Sequence, residues 1–318
     1  MRGPGAKSVV REERGRVIAA LVAVYFIWGS TYLAMRFAVE SLPPLLMAGT
    51  RFLIAGGAMY GWLRLRGGAH PTWPQWRSGL FTGVLLLGFG NGAVALAQKL
   101  GVSSGLAAVM VASMPLWAAL FSGLWGEWPR WRDWLGLGIG ASGIALLNLD
   151  SNLRGSAVGA LLLVLAPVSW ALGSVWSRRL PMARGPMGSA TQMLSGGVVM
   201  LLVGLLFEPL PTAPTARSLG ALAYLAVFGS IIGFSAYGYL LRTVRPAVAT
   251  SYAYVNPVVA LALGVLVAGE RITPVAMLGA GVVLLGVVIA LVGKGQAPKA
   301  APVAPPALVV PSSRKGYL

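Results

Sequence analysis

Pro115–Gly143 reads PLWAALFSGLWGEWPRWRDWLGLGIGASG, and Pro257–Gly286 reads PVVALALGVLVAGERITPVAMLGAGVVLLG. Each stretch opens on a proline inside an apolar run, reaches a glutamate at the end of that run, and continues into a glycine-striped run. Eleven residues separate Pro115 from Glu127, and twelve separate Pro257 from Glu270. From each glutamate onward the spacing is the same: Gly136, Gly138 and Gly143 answer Gly279, Gly281 and Gly286. Two copies of one apolar pattern predict a duplicated membrane bundle. This is the plan of many secondary transporters, whose site lies where the repeats meet.

Outward from these copies, the chain of 318 residues is 57% hydrophobic and only 10% charged, with a mean hydropathy of +0.76. A soluble domain does not have this composition. Ten apolar runs follow one another: 17–35, 44–63, 78–98, 104–125, 133–149, 155–177, 186–207, 218–240, 247–268 and 274–293. Each has about the 17–25 residues that a helix needs to cross a bilayer. The runs are continuous, without the alternation of a barrel strand, so helices are expected. The first run has no small-residue cleavage site and reads as a retained span, not a signal peptide.

A net charge of +17 raises the question of nucleic acid. Its distribution answers otherwise. Lys and Arg number five before the first run, three after the second, two after the fourth, three after the sixth, two after the eighth and four after the last. The odd-numbered connections hold one each: Arg36, Lys99, Arg154, Arg217 and Arg271. Arg51 lies within the second run. This bias is the positive-inside rule, and it predicts cytoplasmic termini. No soluble basic face remains to hold RNA or DNA. The chain has no cysteine, which excludes disulfides and thiolate metal sites.

Five spans per half is an odd number, so the second half is expected to enter the membrane from the opposite side. The charges agree: the connection after run 1 is basic-poor, and its counterpart after run 6 carries Arg178, Arg179 and Arg184. Trp28 and Arg36 also recur as Trp170 and Arg178, at the 142-residue offset that relates Pro115 to Pro257. The fold expected is all-α and integral to the membrane: ten transmembrane helices in two inverted five-helix repeats. The parts are a cytoplasmic segment at 1–16, repeats at 17–149 and 155–293, and a Pro/Ala-rich disordered cytoplasmic tail at 294–318.

The two Pro…Glu…Gly segments, Trp28-Gly29-Ser30 and Arg51-Phe52 together resemble the EamA family of the drug/metabolite transporter superfamily. The resemblance covers roughly residues 17–293 as two tandem EamA units. It implies ten helices and export of small metabolites or drugs, and says little of the solute. One departure stands out: Gln192-Met193 occupies the place in the second half that Thr50-Arg51 holds in the first. A role for the arginine is therefore not symmetric.

Enzymatic readings find little to stand on. His70 is the only histidine, so a zinc-binding HExxH helix is excluded, and no Walker loop is present. Gly101-Val102-Ser103-Ser104-Gly105 matches a nucleophile elbow but follows no strand and has no His/Asp partners. No cofactor or metal is expected. All eight acidic residues map to termini, connections or span ends. None offers the midplane carboxylate of a proton-coupled carrier. The expected cargo is therefore neutral or zwitterionic.

The candidate cavity residues are polar or aromatic side chains at helical spacing: Trp28 with Tyr32, Trp170 with Ser174, Ser113 with Trp117, Tyr252 with Asn256, Asn91 with Gln98, and Tyr237. Polar atoms are costly in lipid, so these should face inward, although Tyr32 and Gln98, near span ends, suit an interfacial belt better. Pro115 and Pro257 should kink their helices. Glu127 and Glu270 should cap the helix that follows each. Arg51 lies about 10 Å in from Pro44 at 1.5 Å per residue. There it either snorkels outward beside Glu40 or serves a carboxylate or a gate. The Gly79/Gly83, Gly88/Gly92, Gly136/Gly140, Gly155/Gly159 and Gly229/Gly233 pairs predict close helix packing. The function expected is a secondary transporter exporting amino acids, similar metabolites or drugs from the bacterial inner membrane, as a monomer or homodimer. A channel-like facilitator and a sugar-phosphate or nucleotide-sugar antiporter are the alternatives.

Overall fold

A computed structural model describes residues 6–126, 128, 131–147, 156–244 and 252–292. Glu127 and the tail at 294–318 lie outside the described residues. Everything regular among those described is helical. The helices are α1 (Ala6–Ala38), α2 (Pro44–Leu65), α3 (Trp73–Lys99), α4 (Ser104–Trp125), α5 (Trp131–Leu147), α6 (Ala157–Ser177), α7 (Pro186–Phe207), α8 (from Ala216 to Thr243), α9 (Tyr252–Ala268) and α10 (Pro274–Val292). Six of them hold stretches long and apolar enough to cross a membrane, namely those in α1, α3, α4, α6, α7 and α8. The basic segment before residue 17 continues α1 as helix from Ala6 onward.

Local chemistry sets the ends. Pro44, Pro186 and Pro274 open α2, α7 and α10, where a missing N–H costs nothing. The Ser103 and Thr215 hydroxyls accept from Leu106 and Ser218 amides to cap α4 and α8. A capping box joins Thr72 and Gln75 at the start of α3. Gly67, Gly101, Gly126 and Gly269 stop α2, α3, α4 and α9 with φ between 63° and 92°, a conformation that a Cβ disfavours.

The helices pack in couples related by moving five helices along the chain. α2 runs along α7, α5 along α10, and α4 against α9. α1 lies on α9 and α8, as α6 lies on α4 and α3. α3 packs on α7, as α8 packs on α2. Small residues make the closest approaches. A Cβ at Gly286 would stand 2.5 Å from the Gly140 amide nitrogen, and one at Gly83 would stand 2.5 Å from the Gln192 carbonyl. The Gly136/Gly140 and Gly79/Gly83 pairs thus serve helix packing, whereas Gly88 meets only Val84 of its own helix.

Two features of the helices have no counterpart in the apolar pattern. α3 and α8 each widen into a π-helical stretch, Val84–Asn91 and Leu225–Ile232. The surplus carbonyl of each stretch finds a hydroxyl: Ser169 donates to Leu85 O at 2.8 Å, and Ser230 donates to Leu225 O at 3.1 Å. The prolines also act unequally. α4 breaks at Ala112–Ser113 just before Pro115, whereas α9 runs as unbroken helix through Pro257. The expectation of two similar kinks is corrected on this point.

Charged residues of odd-numbered connections meet at one end of the bundle. Arg36 pairs with Glu270, Arg217 pairs with Glu40 at 3.6 Å, and Lys99 donates to the Val39 carbonyl at 2.7 Å. The Glu208 carboxylate accepts the Leu45 and Leu46 amides at 2.9 Å, capping α2 from the end of α7. Among the described residues, the connections after α2 and α6 and the end of α4 lie at the opposite end. There Tyr60 bonds His70 at 3.0 Å, and Arg179 covers the Trp125 ring at 4.6 Å.

Candidate functional site: a cavity between the two halves

A cavity of about 80 Å³ lies where α1, α3, α4, α6, α8 and α9 converge, with α2 contributing Arg51. Trp28, Thr31 and Tyr32 come from α1, Asn91 from α3, Trp170 from α6 and Phe234 from α8. Ala108, Val111, Ala112, Met114 and Pro115 line it from either side of the break in α4. Tyr252, Asn256 and Pro257 come from α9. A second void of about 40 Å³ continues from it past Thr31, Tyr32, Asn91 and Trp170 toward Met35 and Val94.

The aromatic wall is built around Trp28. Its indole Nε1 donates to the Gly229 carbonyl at 3.1 Å. Its ring meets Tyr252 edge-on at 4.8 Å between centroids, Phe234 at 5.4 Å and Tyr237 at 5.1 Å. These separations are those of favourable aromatic pairs. Gly233 leaves the space for the indole, since a Cβ there would fall 2.3 Å from Nε1. Trp170 sits on Gly90 in the same manner, with 2.9 Å to a Cβ built there. The Gly229/Gly233 pair therefore seats three side chains, Trp28, Thr31 and Arg51, and is more than a helix-packing motif.

Arg51 is buried and turned inward. Its Nε donates to Ser230 Oγ at 2.9 Å, and its guanidinium lies 4.7 Å from the Phe52 ring centre. Snorkelling beside Glu40 is excluded, because Glu40 pairs with Arg217 instead. The Asn256 amide faces the Tyr252 and Tyr25 carbonyls at 3.2 Å each; two acceptors there assign its nitrogen to that side, which leaves the side-chain oxygen as an acceptor. Val111, whose carbonyl would bond the N–H that Pro115 lacks, also lines the cavity.

Among the residues singled out from the sequence, Trp28, Arg51, Asn91, Pro115, Trp170, Tyr252, Asn256 and Pro257 are brought together here. Four are not. Ser113 is fully buried and donates to the Met110 carbonyl at 2.7 Å. Trp117 is absent from the lining of the cavity. Ser174 is absent from the lining of α6. Tyr237 stands behind the wall, against Trp28 and Tyr252. Gln98 and Tyr32 leave the expected interfacial belt: Gln98 is buried and donates to the Tyr32 carbonyl at 2.9 Å. Thr31, Phe234, Ser230 and Ser169 were not read from the sequence, because only the π-helical turns bring Ser230 and the acceptor of Ser169 into place.

Glu270 also departs from expectation. It caps α4 across the bundle, not the helix that follows it. Its carboxylate accepts the Ser104 amide at 2.8 Å and the Gly105 amide at 3.2 Å, and pairs with Arg36. The tight Gly269 turn after α9 points the side chain back over Gly264, where no Cβ obstructs it.

Comparison with known proteins agrees with this architecture. The profile of the EamA-like transporter family matches residues 15–149 and again residues 157–292. The "Uncharacterized inner membrane transporter YedA" of Escherichia coli (strain K12) is 45% identical over 290 residues, covering 91% of this chain and 95% of that protein. The "Probable amino-acid metabolite efflux pump" of the same strain is 25% identical over 308 residues, covering 87% and 94%. A solved crystal structure superposes with a TM-score of 0.63 at 21% identity, covering 89% of this chain and 99% of that one. That likeness speaks for the fold alone.

Proposed function

Because the chain belongs to the EamA-like transporter family, we propose that it is a secondary carrier exporting small neutral or zwitterionic metabolites, amino acids foremost, or amphipathic drugs. One observation carries the reading: an aromatic cavity with a few inward polar groups lies at the seam of two similarly packed halves. Cavities of this kind give apolar contact for affinity and a few polar groups for orientation. A relative bearing the name of an amino-acid metabolite efflux pump supports both the cargo and the direction.

In this reading the helices are ten spans in two inverted repeats, and the halves rock about the central cavity. The five-helix exchange in the packing supports the repeat. The separation of odd-numbered from even-numbered connections supports alternation across the bilayer. The basic-rich end, with Arg64, Arg178 and Arg184, then faces the cytoplasm. A relative described as an inner membrane transporter supports a bacterial inner-membrane location.

Among the described residues no carboxylate lines the cavity, so flux should not require an imposed proton gradient. The test is uptake by proteoliposomes containing the full chain, with a panel of labelled amino acids, amines and cationic dyes. Saturable flux independent of the gradient, and lost in Trp170→Ala, is the expected result. Absence of saturable flux for the whole panel overturns the proposal. Ion conductance at rates beyond alternating access identifies a channel instead.

A further inference from the structure

We infer that Arg51 receives a single carboxylate of the solute, so that the cargo is a monocarboxylate such as an α-amino acid, and not the corresponding amide or amine. The inference rests on the transport reading above and names its substrate class. Arg51 is 3% exposed, yet it lines the cavity. Its one hydrogen bond among the described residues uses Nε, toward Ser230. The two terminal nitrogens have no hydrogen-bond partner there, and neither described ion pair includes Arg51. A cation held away from water without a counter-charge is expensive. The cavity is the side from which compensation can come, and the paired terminal N–H groups match a carboxylate bidentately.

The fold does not need this charge. Met193 stands at the matching place in the second half, fully buried in α7. The surroundings nevertheless aim the guanidinium. Ser230 Oγ gives its proton to the Leu225 carbonyl in the π-helical stretch, so its lone pair is free to accept from Nε. Gly229 leaves room for Nη2, which a Cβ there would approach to 3.1 Å. The rest of the cavity suits the other end of an amino acid. The Asn256 side-chain oxygen remains an acceptor, and the indoles of Trp28 and Trp170 line the same cavity, where an aromatic system attracts an ammonium group. A phosphate ester, with a charge near −2, would leave one charge unmatched by a single guanidinium.

The test is counterflow into proteoliposomes of the full chain. The probes are L-phenylalanine, L-leucine and L-threonine, their carboxamides, phenethylamine, and glucose 6-phosphate. The wild type is expected to favour each acid over its amide by at least about tenfold. Arg51→Met should lower flux of the acids by about tenfold to a hundredfold, the range for loss of a charge-assisted hydrogen bond. It should also abolish the preference of acid over amide, which a purely structural role would leave in place. Arg51→Lys should keep part of the preference, since an ammonium supplies a charge without the planar fork. It serves in place of the Met variant if that variant misfolds. Equal flux of acids and amides in the wild type, unchanged in Arg51→Met, overturns the assignment while transport stands. Preference for glucose 6-phosphate overturns the monocarboxylate class. No flux of any of these probes overturns this assignment, and transport stands if a cationic dye of the wider panel shows saturable flux; no flux in either set defeats both.

Discussion

Glu270 engages three donors at once: the amides of Ser104 and Gly105 and the guanidinium of Arg36. Its side chain is 5% exposed, whereas that of Arg36 is 36% exposed. The two partners should therefore differ in weight. Glu270→Ala removes the cap of α4 and strands the amides, and should cost about 3 kcal/mol. Arg36→Ala leaves the carboxylate on two N–H groups, and loses a pair already partly screened by water. It should cost about 1 kcal/mol. Unfolding of the purified protein in detergent measures both, and equal costs would mean that the ion pair and not the cap dominates. Gly233 makes a second case. Gly233→Ala forces a methyl against the Trp28 indole and should break its bond to the Gly229 carbonyl. The expected result is a raised KM for export together with a loss of about 1–3 kcal/mol of stability, as overpacking costs.

At the scale of the helix, the two prolines separate structure from pattern. Pro115 follows a break at Ala112–Ser113, and residues on both sides of it line the cavity. Pro257 sits in unbroken helix. Pro115→Ala lets α4 close the missing hydrogen bond, for a gain of about 1 kcal/mol. Straightening should reshape the cavity and lower flux by about tenfold, or ~1.4 kcal/mol. Pro257→Ala should change flux less. Equal effects of the two substitutions would show that the break is not what shapes the site. The π-helical stretches work at this scale too, because each turns a serine contact toward the seam between halves.

Across the whole molecule, the α5–α10 seam is made by backbone against backbone. A Cβ at Gly286 would meet Gly136 O at 2.6 Å, and one at Gly143 would meet the Val283 amide at 2.7 Å. Gly138 and Gly281 have nothing within 4 Å of such an atom. Gly286→Ala should therefore destabilise by about 1–3 kcal/mol through overpacking. Gly281→Ala should be neutral or slightly stabilising, because alanine favours helix. Thermal unfolding of the pair decides the matter: no loss in Gly286→Ala would place α5 and α10 farther apart than described.

How much was legible follows from these cases. Apolar runs, proline starts, glycine stops and the repeated Pro…Glu…Gly segments follow from local chemistry, and so the helical membrane class and the family could be read from residues alone. Trp28, Asn91, Trp170, Tyr252 and Asn256 were also legible, since polar and aromatic groups in apolar helices turn inward to avoid lipid. Other assignments depended on neighbours distant in sequence. Ser113 turned its hydroxyl to the Met110 carbonyl one turn back, and Ala112, Met114 and Pro115 line the cavity in its place. Glu270 chose the amides of α4 over those of the helix next to it. Ser230 met Arg51 only because an extra residue widens a turn of α8. Periodicity records which face of a helix is apolar, whereas the partner that a buried charge or hydroxyl finds is set by how helices cross. The sequence by itself determined the helices and the family; the tertiary structure alone decided which polar groups meet, because those contacts span more than 150 residues of chain.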